Sequence, residues 1–218
     1  MLKNENRKAK LNRDGRKGLM INFFLLVISL PLLLISAGTI NWINGWVYFG
    51  LTLGYEIIYT LILLKINPGL LNERGKIIRE ETKTFDKFYA ALYLPLSYLI
   101  LVISGLDAVR FQWSTMPLWI IILSIFIMVF AFYIALQAIV VNSYFECTVF
   151  VQKDQQVIQS GPYKFVRHPA YAAAILSILG SPLVLGSWLG LVPSILLVMI
   201  LVIRTALEDR ITRRVTRL

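Results

Sequence analysis

One stretch holds most of the side chains able to do chemistry: Gly161-Pro162-Tyr163-Lys164-Phe165-Val166-Arg167-His168-Pro169-Ala170-Tyr171. Within eleven residues it contains the only histidine of the chain, two tyrosines, two prolines, a lysine and an arginine. A second group closes the last apolar run, where Arg204 and Glu208 are four residues apart and so share one face of a helix. Each feature also has an ordinary explanation. An exposed Arg–Glu pair at this spacing is worth well under ~1 kcal/mol. Tyr163, His168 and Tyr171 suit the anchoring of a helix at a membrane interface, and Pro169 is a usual helix-start residue.

Other reactive side chains are few. Cys147 is the single cysteine, so no intrachain disulfide can form, and its neighbours Phe145 and Val149 suit simple packing. One cysteine and one histidine do not make a zinc site, which takes three or four such ligands, and no metal is expected. Glu56 lies inside an apolar run. It reads equally as a functional group within the membrane and as a carboxylate paired in the bundle or set near water.

These residues must be positioned by a membrane bundle. Of 218 residues, 57% are hydrophobic and only 16% charged, too few polar groups for a soluble surface of this size. The apolar residues fall into runs near the ~20 needed to cross a bilayer. The expected fold is all-α, a polytopic bundle of about six spans ending in a helical hairpin. The spans are read as Leu19 to Ala37, Trp46 to Leu64, Phe88 to Leu106, Leu118 to Val141, and two more between Ala170 and Ile203. Those last two are joined by a turn near Ser181 to Ser187, because a single helix would be about 50 Å long against a hydrocarbon core of about 30 Å. The first run outlasts a signal-peptide core and is read as an uncleaved helix. Two units follow: a basic cytoplasmic arm over 1–18, and a membrane domain over 19–218 with its chemistry in 150–210.

The net charge of +10 is topological rather than a nucleic-acid footprint, since no basic patch is interleaved with exposed aromatic residues. Every Lys and Arg except Arg110 falls in 1–18, 65–87, 142–168 or the tail from Arg204. Six spans place all four pieces on the cytoplasmic side, with both termini. The stretch around His168 then faces the same aqueous boundary as Arg204 and Glu208.

Gly161-Pro162-Tyr163, Arg167-His168-Pro169-Ala170-Tyr171, an apolar hairpin and the acidic pair Glu208-Asp209 resemble the signature of the isoprenylcysteine carboxyl methyltransferases of bacterial type. These integral-membrane enzymes are themselves similar to phospholipid methyltransferases. Asn67-Pro68-Gly69-Leu70-Leu71-Asn72-Glu73-Arg74 and Leu106-Asp107 look like bacterial members too, and the resemblance covers most of 45–210. It implies methyl transfer from S-adenosylmethionine to a lipidic small molecule or a lipidated acceptor, an isoprenylcysteine-type carboxylate included, at the cytoplasmic face of a bacterial inner membrane. Carried over, Gln152, Gln155, Gln156, Val157 and Ile158 line the cofactor. Tyr163, His168, Pro169, Ala170 and Tyr171 complete its pocket, Glu208 contacts it, and Arg204 is the catalytic cation that holds a carboxylate acceptor. Asp209 stands where the family has a second glutamate. Family members continue with a Tyr-x-x-Tyr-like segment, so the chain is expected to be short at its C-terminus, where a lid of the site would lie.

Two other readings are open. Membrane sterol-type reductases share a similar helical layout with a nicotinamide cofactor at the same face; saturable NADPH binding without S-adenosylmethionine binding marks that class. A truncated, non-catalytic relative would bind no cofactor even when extended with a family-like C-terminus.

Overall fold

A computed structural model describes residues 9–75, 84–142 and 159–215. Among these residues the fold is all-helical, with seven α-helices and no strand. Helix α1 (Arg13–Ala37) begins six residues before the apolar run. The Asn12 side chain accepts from Gly15 N at 2.9 Å and Asp14 sits in the first turn, both favourable at a helix N-terminus. It stops at Gly38, whose φ of 73° is the left-handed conformation that glycine adopts without strain.

Helix α2 (Ile43–Ile66) is followed at once by the short α3 (Pro68–Arg74). Asn67 caps α3, its side chain accepting from Leu70 N, and Pro68 opens it. Asn72 then fastens α3 to the start of α1: its Oδ1 accepts from Asn12 N at 2.9 Å and its Nδ2 donates to Lys10 O at 3.0 Å. Helix α4 (Thr84–Gly105) runs into a π-helical turn over Leu106–Arg110, closed by Phe111 N donating to Leu106 O at 2.8 Å. Helix α5 (Leu118–Val141) starts directly after Pro117. A 3₁₀ turn (Gly161–Lys164) precedes α6 (Pro169–Leu185), and α7 (Leu191–Val215) ends the fold.

Five helical stretches are long and apolar enough to cross a membrane: Arg13–Ala37, Ile43–Ile66, Asp86–Arg110, Leu118–Val141 and Leu191–Arg210. Helix α6 is apolar but has 17 residues, about 26 Å at 1.5 Å per residue. The expected break at Ser181 to Ser187 is displaced. Helix α6 continues through Gly180-Ser181-Pro182, and the turn lies at Gly186 to Gly190. Gly180 and Ser181 are small enough for α6 to lie along α5, with Ser124 and Met128 opposite Gly180. The helix stops where Gly186 adopts φ 84° and Ser187 N reaches back to Pro182 O at 2.8 Å.

Helix α5 packs along α6, α1 along α4, α4 along α7, and α6 along α7. One core cluster joins Leu96 and Ile100 of α4 to Ile178 of α6 and Leu197 and Leu201 of α7. Another joins Leu33, Ala37, Trp42, Leu101 and Leu185 at the opposite end. Large apolar side chains such as Phe24, Phe126, Phe130 and Ile203 point outward, as a lipid-facing surface requires.

Candidate active site

The start of α4, the end of α5, the 3₁₀ turn, the start of α6 and the end of α7 meet at one end of the bundle. Each brings one to three polar side chains there. Pro169 opens α6 from a buried position and Ala170 is half-buried in the first turn. His168 precedes them, its carbonyl accepting from Ala172 N. Tyr171, three residues on, stacks its ring against His168 with centroids 5.4 Å apart. The hairpin returns α7 so that consecutive acidic residues face this turn. Tyr171 Oη donates to Glu208 Oε2 at 2.6 Å, and His168 Nε2 lies 2.8 Å from Asp209 Oδ1.

Arg204, one turn before Glu208, is buried rather than exposed. Its Nε donates to Asp86 Oδ1 at 2.6 Å, and its Nη1 donates to Tyr171 Oη at 3.1 Å. Asp86 lies in the first turn of α4 and is buried as deeply, 4% exposed against 7% for Arg204. The guanidinium also sits 4.6 Å from the ring centre of Tyr89 and 5.5 Å from that of Tyr171. A cation so placed needs a counter-charge, and Asp86 supplies it. The reading of Arg204 as half of an exposed pair with Glu208 therefore gives way to a buried cation clamped from α4.

Tyr163 joins the site through the 3₁₀ turn. Asn142, at the end of α5, donates from Nδ2 to its Oη at 3.0 Å. Burial pushes the Tyr163 phenol above its ordinary value of 10.0, the bond from Asn142 opposes this, and the nearby Glu208 charge adds to it. Tyr163 is thus a neutral donor at physiological pH. Gln152, Gln155, Gln156, Val157 and Ile158 lie outside the described residues, as does Cys147.

The structure thus brings together Tyr163, His168, Tyr171, Arg204 and Glu208 from the sequence-predicted set. It adds Asp86, Asn142 and Tyr89, which no motif marked, and gives Asp209 a defined partner. The signal for Asp86 was the α4 periodicity that puts it on one face with Tyr89, had the helix been started at Thr84 rather than Phe88. His168 and Asp209 remain about a third exposed, with side-chain exposures of 29% and 37%. The polar edge is therefore open to a ligand while the Arg204–Asp86 floor is closed. No group of three or more metal-ligating side chains occurs among the described residues.

The donor set suits S-adenosylmethionine. Carboxylates at Glu208 and Asp209 can accept from an ammonium group and from ribose hydroxyls, and the stacked His168–Tyr171 pair offers an aromatic edge. No curated protein and no solved structure matches the chain. A model of the phospholipid methyltransferase family does match it, over residues 119–215. That segment runs from the first turn of α5 to the last residue of α7 and holds every site residue described above except Asp86 and Tyr89. The likeness supports a membrane methyltransferase.

Proposed function

We propose that the chain transfers a methyl group from S-adenosylmethionine to a lipidic or lipid-modified acceptor at the cytoplasmic face of the membrane, with an isoprenylcysteine-type carboxylate as one candidate acceptor. The observation that carries this reading is the convergence of Tyr163, His168, Tyr171, Glu208 and Asp209 at the open end of the α6–α7 hairpin, inside the matched segment. The cofactor supplies a methyl group already activated by its sulfonium, so no nucleophilic side chain is required. The chain's task is to align the acceptor with that methyl and to keep water away.

In this reading Glu208 and Asp209 bind the polar parts of the cofactor, each held by a residue at the start of α6. Tyr163, Pro169 and Ala170 shape the pocket, and Gln152, Gln155, Gln156, Val157 and Ile158 would line the cofactor. Arg204 supplies positive charge beside the acceptor. Its Nε is given to Asp86 and its Nη1 to Tyr171 Oη, so it acts on a carboxylate acceptor through its charge. The lipid tail would enter from the bilayer and the cofactor from water.

Membranes from cells expressing the chain, incubated with cofactor carrying a labelled methyl group, test the activity. The expected result is label in the organic extract or on protein, absent with His168→Ala. Equal labelling with and without the expressed chain contradicts the reading.

A further inference from the structure

Asp86 belongs to no motif and stands 118 residues from Arg204 in sequence, yet the two form a buried ion pair at 2.6 Å. The direction of the bonds that lead from that pair to Glu208 is fixed by chemistry. An arginine only donates, so Nη1 donates to Tyr171 Oη. A phenol has one proton, and with its oxygen accepting from Arg204 that proton goes to Glu208 Oε2 at 2.6 Å, the length of a bond to a charged acceptor. The tyrosine therefore cannot turn its proton elsewhere while Arg204 stays in place. Two ring contacts hold the guanidinium, and the bond to Asp86 fixes its Nε.

We infer that Asp86 is a positioning residue for Glu208, acting through Arg204 and Tyr171; the ligand that Glu208 meets is taken from the methyltransferase reading. With Asp86 neutralised, Arg204 loses the charge-assisted bond that fixes its Nε. The guanidinium then turns, its bond to Tyr171 Oη is lost, and the Tyr171 proton no longer fixes Glu208 in its ligand-binding position.

The test is a double-mutant cycle on detergent-purified full-length chain, read as the Kd for S-adenosylmethionine. Asp86→Asn and Tyr171→Phe are each expected to raise Kd about tenfold or more, the scale of a lost bond to a charged group. The double variant should bind no more weakly than Tyr171→Phe alone, and Asp86→Glu should recover most of the affinity. Multiplying effects, or an Asp86→Asn Kd within about twofold of wild type, overturn the inference. Should Asp86→Asn fail to fold, Asp86→Asn/Arg204→Gln removes both charges together; a wild-type Kd in that variant is the overturning result, and a Kd like that of Tyr171→Phe the supporting one. Absence of binding by the wild type sinks the methyltransferase reading instead. The cycle is then read in the melting temperature of the ligand-free protein. Shifts from Asp86→Asn and Tyr171→Phe that fail to add support the coupling, and additive shifts overturn it.

Discussion

Glu208 and Asp209 are adjacent on α7 but are held by different residues at the start of α6, Tyr171 in its first turn and His168 just before it. In the proposed site this division would let one acidic pair present two oriented carboxylates to one ligand. Asp209→Ala is expected to weaken S-adenosylmethionine binding by about tenfold, as removal of a charge-assisted partner does, without a large fall in stability, since the side chain is partly exposed; calorimetric titration measures it. Tyr163 gives a pH signature. Its folded pKa is raised above 10.0, so the unfolded chain releases the proton first as pH rises. Its contribution is fully present below that value and is lost as pH climbs through the higher folded value. Tyr163→Phe should therefore flatten part of the fall in melting temperature above pH 10, and an unchanged fall would contradict the assignment. Tyr163, His168, Tyr171 and Glu208 were legible in the sequence because they cluster at the ends of apolar runs. Asp86 was not, because nothing in the mixed-charge run 65–87 separates it from Glu73, Glu80 or Glu81. The spacing of Arg204 and Glu208 suggested an exposed pair, and only tertiary packing reveals the burial.

At the scale of elements, the hairpin that returns Arg204 and Glu208 to α6 is latched at its far end. Asp107, fully buried in the π-helical turn, accepts through Oδ2 from Ser187 Oγ at 2.6 Å and from Leu189 N at 3.1 Å. Ser187 Oγ in turn accepts from Gly190 N. Asp107→Ala strips two donors of their acceptor, and leaving the buried Ser187 hydroxyl unpaired costs about 1–3 kcal/mol. The expected outcome is a lower melting temperature with little change in the Kd of the protein that remains folded. The α1–α3 contact is tighter still: a Cβ on Gly75 would collide with the Asp14 carbonyl oxygen. Gly75→Ala should likewise lower the melting temperature, since backbone and not a flexible side chain stands in the way. The order of the long helices was legible from the apolar runs. The end of α6 was not, because Gly180-Ser181-Pro182 carries the composition of a turn while serving as a packing surface for α5. The start of α1 was missed by six residues, because the Asn12 cap and Asp14 lie in a basic run that reads as a polar arm.

Across the whole molecule, charge follows the same axis as the site. Arg13, Arg16, Lys17, Lys65, Lys87, Lys164, Arg167 and Arg210 are exposed at the end that carries His168 and Glu208, and Arg110 lies at the other. The proposed cytoplasmic placement of the site end rests on this charge asymmetry and the positive-inside rule. In a Cys147→Ser background, Lys164→Cys and Asn41→Cys should react with a membrane-impermeant maleimide from opposite faces, with Asn41→Cys labelled in intact cells; labelling of both from one face would refute the six-crossing arrangement. The central claim of the proposed function is that this end of the bundle binds S-adenosylmethionine. Equilibrium binding of the labelled cofactor to purified protein measures that claim directly. Saturable binding by the wild type, abolished by Glu208→Ala and by His168→Ala, is the predicted result, and a folded wild type that binds none would contradict it.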